Sequence, residues 1–431
     1  MKKELLNSVI YQVYPRNFTK EGNFVSLVNK LDYIKDLGTD ILYLLPINEI
    51  GNVNRKGDLG CPYSIKDYLK INEELGTLED FKLLINETHA RNMKIMIDIV
   101  FNHTSYDSTL SKLHPDWFFK DQNGKICSKC QEWSDVIDLD YKNNEELVSY
   151  LLNVIEFYIK LGVDGFRFDV VSLLGDNFFI RLQKEIMSKY PNIIFLGEAI
   201  DASFLNVMRK QFKLGVSDCE LFNYGFDILY GYNAFNEFRN YLNNGDLNSL
   251  NQYKILLQYE ASCVPINGLR LRCIENHDQQ RLIEFTNNEL KRYNLAAFSF
   301  FLKGPILVYN GLETKADHHL SLFTKDLLDL NIDENWFKYI KKLIDLKKSP
   351  LNLTILGSSI DTNEGEFIVV ENEFENKENN IYGIFNFSLN EQKITSKLLK
   401  DGMYIDLISS KTYEIKNNSI TVKYPLELKR L

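Results

Sequence analysis

The sequence predicts an α/β protein with a (β/α)8 TIM barrel, a short loop-rich B domain after the third barrel strand, and a C-terminal antiparallel β-sandwich. Over roughly the first 350 residues, short apolar runs alternate with amphipathic helical patterns, which is typical of parallel strands joined by crossover helices. After Pro350 the pattern changes to short β-type runs broken by Asn, Gly, Glu and Lys. The length of 431 residues also fits, because a barrel alone takes about 250.

Eight apolar runs are the candidate barrel strands: residues 8–14, 40–46, 94–100, 163–169, 192–198, 218–222, 269–276 and 305–309. The sixth has the least clear pattern. Helical spacing of apolar residues predicts helices at residues 24–37, 78–91, 145–161, 178–189 and 336–347. A doubly wound parallel sheet is the competing architecture, because it shows the same alternation of strands and helices.

The connection after the third strand is long, polar and aromatic, with no clear helical pattern. Loops of this length inside a compact domain are uncommon and usually functional, and this one would stand at the carboxyl end of the barrel. The predicted domains are barrel (1–101), B domain (102–143), barrel again (144–349) and β-sandwich (350–431). Strands of the sandwich are predicted at residues 353–361, 366–372, 380–388, 403–407 and 419–423.

Charge and hydropathy argue against two classes of partner. The net charge is −9 with both signs interspersed, so no basic run predicts nucleic-acid binding. No apolar stretch approaches the ~20 residues of a membrane span, and Glu4 and Asn7 interrupt the N-terminus where a signal peptide needs an apolar run. We therefore expect a cytoplasmic protein that does not bind membranes. The oligomeric state stays open.

Six cysteines are expected to be free thiols in a chain of this kind. Cys127 and Cys130 form a lone CxxC, which predicts two unpaired thiols on a loop. A zinc site would need about two further ligands, and no second pair stands nearby in sequence. A redox pair is the other reading, without a thioredoxin-like context to favour it.

Four predicted strands end in polar, charge-bearing residues. In a barrel these ends converge on one face, so four of them in register are a strong signal for an active site. The residues concerned are Asp98 in strand three and His103 after it, Arg167 and Asp169 at strand four, Glu198 at strand five, and His277 and Asp278 after strand seven.

The spacing of these acids predicts acid/base and nucleophilic chemistry. Arg167 and Asp169 are two apart on a strand and share a side, so Arg167 should lower the pKa of Asp169 and keep it anionic. An anionic carboxylate can attack a sugar C1. Glu198 ends an apolar strand, where a carboxyl can hold a proton for the glycosidic oxygen. Two carboxyls about 5–5.5 Å apart imply a retaining route.

These segments resemble the signature regions of the alpha-amylase family, glycoside hydrolase family 13. Residues 98–103, 165–169, 197–198 and 275–278 are similar to its four regions. The resemblance covers nearly the whole chain. It implies Asp169 as nucleophile, Glu198 as acid/base and Asp278 as transition-state stabiliser. It also implies that Arg167, His103 and His277 line the subsite of the reacting sugar.

Further positions match the family or depart from it. Tyr63 resembles the aromatic residue that stacks on the reacting sugar, and Arg281 an arginine that supports the site. Leu173 stands where many members carry a histidine near a calcium ion, although Asn102 matches a calcium-proximal asparagine. The resemblance therefore implies no required cofactor and leaves a structural calcium doubtful. Val170 resembles enzymes that accept α-1,6 linkages, but β-branched strand packing explains it equally well.

The predicted function is a retaining glycoside hydrolase that cleaves α-glucosidic bonds in maltodextrins or other short α-glucans through a covalent glucosyl-enzyme. One alternative is a glucosyl or α-glucan transferase of the same family, or an α-1,6-acting glucosidase. A remote alternative is an inactive member acting as a binding subunit, which the intact acid trio and the missing membrane anchor disfavour. Linkage preference, exo or endo action and substrate length stay open.

Overall fold

A computed structural model describes residues 2–130 and 132–431 of the chain. It contains a sheet of eight strands in the spatial order β7-β6-β5-β4-β3-β2-β1-β8, all of them short and buried. The strands are β1 Val9–Val13, β2 Ile41–Leu44, β3 Lys94–Ile99, β4 Gly165–Phe168, β5 Ile194–Gly197, β6 Ile228–Tyr230, β7 Leu269–Leu271 and β8 Ile306–Tyr309. The predicted α/β barrel is confirmed, and the doubly wound sheet is not what forms.

Bridging between the two outer strands closes the sheet. Arg272, directly after β7, pairs in parallel with Ile306 of β8. Its N–H donates to the Pro305 carbonyl at 2.8 Å, and its carbonyl accepts from the Leu307 N–H at 2.8 Å. This bridge joins the two outer strands of the eight-stranded sheet, so that neither of them is left as a free edge at this point.

Helices connect the strands. The helix Glu145–Leu161 shows why they form: Asn144 caps its first turn by accepting from the Leu147 N–H at 3.1 Å, and Gly162 ends it in the left-handed conformation. Its apolar face is buried. The α-helices are Pro15–Phe18, Phe24–Val28, Leu31–Leu37, Leu78–Ala90, Thr109–Leu113, Glu145–Leu161, Asp176–Arg181, Ala202–Phe212, Asp218–Asn223, Tyr232–Asn244, Leu247–Cys263, Leu282–Phe285, Glu289–Phe301 and Glu334–Lys347.

The prediction of the sixth strand was wrong. Residues 218–222 lie in the helix Asp218–Asn223, and the sixth strand is Ile228–Tyr230. The physical reason is a capping box: the Ser217 side chain accepts from the Glu220 N–H, and the Glu220 carboxylate accepts from the Ser217 N–H at 2.8 Å. This local motif starts a helix in a stretch whose apolar residues also suit a strand.

Other elements differ in extent. The predicted helix 24–37 is two helices, Phe24–Val28 and Leu31–Leu37. The predicted helix 178–189 begins at Asp176 and continues as a π-helical segment, Leu182–Met187. The B-domain loop contains a hairpin of His103–Ser105 with Val136–Asp138 and a short helix, Thr109–Leu113. A second hairpin pairs Asn48–Ile50 with Ile65–Ile71.

The C-terminal region is an antiparallel β-domain, as predicted. Six strands form one sheet in the order β9-β10-β11-β16-β13-β14, and β12 pairs with β15. Side chains from both sheets share one core, which includes Val369, Ile384, Ile394 and Val422. The strands are β9 Gly357–Ile360, β10 Phe367–Glu373, β11 Ile381–Asn386, β12 Gln392–Thr395, β13 Gly402–Asp406, β14 Thr412–Ile415, β15 Ser419–Val422 and β16 Leu426–Arg430.

The chain divides into two compact units. The first comprises residues 1–10, 231–319 and 329–431, and the second comprises residues 11–230 and 320–328. The predicted domain boundaries stay predictions. Across residues 2–130 and 132–431, no helix combines the length and apolar character needed to cross a membrane. The cytoplasmic location also stays a prediction.

Candidate active site

Three neighbouring strands bring Asp98, Asp169 and Glu198 together in the second unit. Asp98 of β3 pairs in register with Arg167 of β4. Asp169 and Glu198 directly follow β4 and β5, and the Glu198 N–H continues the ladder by donating to the Phe168 carbonyl at 3.0 Å. Because parallel strands end at one edge, these side chains reach the same carboxyl-terminal rim.

Arg167 is the centre of this cluster. Its guanidinium is fully buried, and Nη1 donates to Asp98 Oδ1 at 3.0 Å and to Asp169 Oδ1 at 2.8 Å. Nη2 lies 3.0 Å from Glu198 Oε2, an ion contact without hydrogen-bond alignment. One buried cation therefore holds three carboxylates, and it orients both predicted reacting groups at once.

Asp98 is a site residue to which sequence reasoning gave no role. It is fully buried, and its Oδ2 accepts from the hydroxyls of Tyr43 at 2.7 Å and Tyr63 at 2.8 Å. The Tyr63 ring also lies 5.8 Å from the Arg167 guanidinium carbon. Asp98 thus links the predicted sugar-stacking tyrosine to the arginine. An acid inside an otherwise apolar strand was the available signal, since a buried acid needs such partners.

The pKa of Asp169 differs from the sequence-based expectation. Burial raises it well above the usual aspartate range, Arg167 lowers it, and the Glu198 and Asp98 carboxylates raise it further. Arg167 does contact Asp169 as predicted, but it is shared among three acids and does not outweigh burial. Two carboxyls on one guanidinium titrate as a pair, so the pair retains one proton to higher pH than an isolated acid.

Val170, between the two strand ends, adds a backbone contact. Its N–H donates to Glu198 Oε2 at 2.9 Å. To do so it takes a left-handed conformation with φ of 36°, which is rare for a β-branched residue. The strained backbone directs a donor at the predicted acid/base. Oε2 therefore has two donors near it, the Val170 N–H and Arg167 Nη2, and a proton on this carboxyl belongs on Oε1.

His103 lies in the same unit, at the start of the B-domain hairpin. Its Nδ1 contacts Asn102 Nδ2 at 3.1 Å, and its ring lies 5.5 Å from the Trp133 ring between centroids. Burial lowers its pKa, while Asp138 and Asp135 raise it by a smaller amount. Because Nδ1 accepts from the Asn102 amide, a neutral imidazole here carries its proton on Nε2 and is a hydrogen-bond donor on that side.

The residues after β7 belong to the first unit. Asn276 Oδ1 accepts from the N–H groups of Asp278 at 2.8 Å and Gln279 at 3.0 Å, which makes a tight polar turn. The turn presents Asp278 with 44% of its side chain exposed, beside the buried His277 at 3.1 Å. Asp278 is thus a largely accessible carboxylate on a fixed backbone.

Arg281 has its donors taken by protein groups. Nη1 donates to Glu275 at 2.8 Å, Nη2 to the Asn310 carbonyl at 3.0 Å, and Nε to the His318 carbonyl at 3.1 Å. Its guanidinium is fully buried and lies 4.0 Å from the Tyr309 ring centroid. The predicted substrate-binding role stays a prediction. The geometry makes Arg281 a positioning residue that holds the loop after β7.

Asn102 and Leu173 mark the place where the family resemblance raised a structural calcium. Asn102 contacts His103 through Nδ2, which is not the atom that would bind a cation, and Leu173 supplies no polar side chain. The described ranges, 2–130 and 132–431, hold no group of three or more His, Cys, Asp or Glu side chains suited to a metal. Burial raises the pKa of Cys127 and Cys130, and both are free thiols.

Comparisons with known proteins identify the family of the chain. The family model described as "Alpha amylase, catalytic domain" matches residues 12–335, and "Bacterial Alpha amylase C-terminal domain" matches residues 360–425. The crystal structure of an alpha-amylase from Lactobacillus plantarum is similar at a TM-score of 0.91 and 36% identity, covering 100% of both chains.

Two curated relatives are similar over shorter stretches. An oligo-1,6-glucosidase from Bacillus cereus is 32% identical over 39% of this chain and 35% of its own. An alpha-1,4-glucan:maltose-1-phosphate maltosyltransferase from Picrophilus torridus is 31% identical over 48% of this chain and 35% of its own. The matches thus cover about a third of these relatives. From the family model and the full-length structural similarity, the chain belongs to the alpha-amylase family, glycoside hydrolase family 13.

Proposed function

We propose that this alpha-amylase family enzyme is a retaining glycoside hydrolase that cleaves α-glucosidic bonds in maltodextrins or other short α-glucans. The observation that carries the proposal is the single buried guanidinium of Arg167, which contacts Asp169 and Glu198 together. Two carboxyls placed side by side, with one proton between them, are what a double displacement at a sugar carbon requires.

In the first step, Asp169 attacks the anomeric carbon and forms a glycosyl ester. The bond from that carbon to the glycosidic oxygen breaks, and the oxygen takes the proton of Glu198. Asp169 is suited to attack through Oδ2, because Oδ1 accepts the bond from Arg167. The backbone N–H of Val170 stabilises the Glu198 carboxylate that remains.

In the second step, water attacks the same carbon. Glu198 takes a proton from the water, the ester bond to Asp169 breaks, and the acid pair returns to its starting protonation. Tyr63 supplies an aromatic face for the sugar, and its hydroxyl is fixed by Asp98. Asp278 and His277, in the roles that the family resemblance implies, would bind hydroxyls of the reacting sugar and favour its distorted ring.

A transferase is the second candidate function. The same glycosyl-enzyme can pass its sugar to an acceptor hydroxyl or a phosphate in place of water. The similarity of the chain to a maltosyltransferase supports this second candidate. The covalent step is identical, so the acids do not discriminate between the two reactions. Product analysis with and without a sugar acceptor or inorganic phosphate does.

The test is Asp169→Asn, which preserves shape and removes the nucleophile. Turnover of maltose to maltoheptaose, isomaltose, panose, pullulan, sucrose and trehalose should fall by about a thousandfold or more for every substrate that the wild type accepts. Thermal unfolding checks that the variant is folded. NMR of the first product should show the α-anomer. A folded, fully active variant, or release of the β-anomer first, contradicts the mechanism.

A further inference from the structure

A cavity outside the acid cluster lies in the same unit, between the B-domain segment and residues 173–177 and 212–216. Its volume is 830 Å³, within the range of sites that bind small molecules. None of Tyr63, His103, Arg167, Asp169 and Glu198 lines it. It is therefore a compartment that the proposed reaction does not use.

The B-domain side of this cavity is held by backbone pairing. Phe118 bridges to Leu139, and the neighbouring Phe119 N–H donates to the Asp138 carbonyl at 2.9 Å. Lys120, the next residue, forms an antiparallel bridge with Ile126. Side chains that line the cavity from this segment thus project from a paired backbone, which favours a preformed site.

An apolar partition separates the cavity from the acids. A buried cluster of Leu173, Ile200, Leu205 and Met208 packs against further side chains that include Val170 and Phe212. Val170 contacts Glu198, whereas Leu173 and Phe212 line the cavity. A ligand in the cavity would therefore lie behind the loop that follows the nucleophile.

The polar lining carries both signs of charge. Four ammonium groups, three carboxylates and one amide line the cavity, from Lys120, Lys129, Lys142, Lys213, Asp116, Asp140, Asp176 and Asn177. The carboxylates would repel a polyanion, and the ammonium groups would repel a cation. The lining therefore favours a neutral ligand that both donates and accepts hydrogen bonds.

Lys129 and Phe119 form the most defined contact point. The Lys129 side chain is only 8% exposed, and its Nζ donates to the Leu139 carbonyl at 3.3 Å. Nζ lies 3.6 Å from Asp138 Oδ2 and 4.7 Å from the centroid of the Phe119 ring. Phe119 in turn meets Phe212 edge to face at 5.7 Å. The wall thus presents an aromatic ring whose position is fixed by a buried ammonium group and by a second ring.

We propose that this cavity is a second, non-catalytic binding site for a short α-glucan of two to three sugars. A sugar ring has apolar C–H faces that pack on aromatic rings and a rim of hydroxyls that donate and accept. The rings of Phe119 and Phe212 can pack against the C–H faces, and the lysines and carboxylates of the lining can bind the hydroxyls. The choice of an α-glucan rests on the proposed function; the choice of a neutral polyhydroxyl ligand rests on the lining alone.

The test uses full-length Asp169→Asn protein and maltotriose, which this variant does not consume. Calorimetric titration should show two sites. Adding Phe119→Ala should weaken one site by about tenfold or more. Phe119→Leu, which keeps apolar bulk against Phe212 but removes the ring, should weaken the same site. Lys125→Ala, an exposed lysine in the same B-domain turn that does not line the cavity, is the matched control and should change neither site.

The outcomes separate the two proposals. Adding Tyr63→Ala should weaken the other site, because Tyr63 belongs to the acid cluster. A single site that responds to Tyr63→Ala and not to either Phe119 variant overturns the cavity site and leaves the proposed function standing. A second site that ignores both Phe119 variants also overturns it. If maltotriose binds nowhere and the wild type turns over no α-glucan, both proposals fail.

Discussion

Asp98 offers the sharpest test of how charge is balanced around Arg167. Replacing Asp98 by Asn keeps the shape of the side chain but removes one of the three carboxylates on the guanidinium. The Asn oxygen can still accept from Arg167, and its amide can donate to the hydroxyls that now bond to Oδ2. The substitution therefore changes charge more than geometry.

The magnitude follows from the shared Nη1 atom. Asp98 Oδ1 and Asp169 Oδ1 lie 3.0 and 2.8 Å from it, so these two oxygens are at most about 6 Å apart. At an effective dielectric constant of about 20, two charges at that separation repel by about 3 kcal/mol. Removing the Asp98 charge relieves this repulsion, and the positive charge of Arg167 is then shared by two carboxylates instead of three. Both effects lower the pKa of Asp169.

The assay is the pH dependence of kcat/KM on an accepted oligosaccharide. In Asp98→Asn the acid limb, which reports ionisation of the nucleophile, should move to lower pH by about one unit or more. Asp227→Asn is the matched control and should leave the acid limb in place, because the half-buried Asp227 carboxylate accepts from the Phe195 N–H at 2.9 Å at the amino end of the barrel. An acid limb in Asp98→Asn that stays in place or moves to higher pH refutes the reasoning.

Two further substitutions test the stability contributed by a buried carboxyl, Glu427, and by a buried guanidinium, Arg281. Burial raises the pKa of Glu427 from its ordinary value of 4.5 to about 8. Because the folded protein binds this proton more tightly than the unfolded chain, the free energy of unfolding falls as the pH rises from 4.5 to 8. Wild type should lose about 2–3 kcal/mol between pH 5 and 7 relative to Glu427→Gln by urea unfolding, and equal losses would contradict this. Arg281→Lys should lower the unfolding free energy by about 2–3 kcal/mol, because an ammonium cannot bridge Glu275 and two carbonyls; unchanged stability would argue against its positioning role.

Most of the barrel could be predicted from sequence because its strands are buried on both faces and read as apolar runs. The rule failed at residues 218–222, where apolar Leu221 and Phe222 suit a strand as well as a helix. Ser217 and Glu220 decide the outcome, and a capping box is legible in sequence three residues apart. The π-helical segment Leu182–Met187 carries no such mark, because its conformation depends on packing.

At the site, sequence found the residues whose spacing on one strand places them together. Arg167 and Asp169 share a face by the two-residue period of a strand, and the structure joins them at 2.8 Å. Asp98 and Tyr43 come from neighbouring strands, and only the register between strands brings them to Arg167. The left-handed conformation of Val170 could not be predicted for another reason: valine is a β-branched residue that rarely takes a positive φ.

The raised pKa of Asp169 follows from counting charges and not from any one pair. A single guanidinium faces Asp98, Asp169 and Glu198, so the fully ionised cluster carries two uncompensated negative charges in a buried place. Binding one proton removes one of them, which is favourable where desolvation penalises charge. The proposed reaction begins by giving that proton to the leaving oxygen while Asp169 becomes an uncharged ester. The cluster thus exchanges a proton for a sugar with its net charge unchanged, and Arg167 can keep all three contacts through both steps.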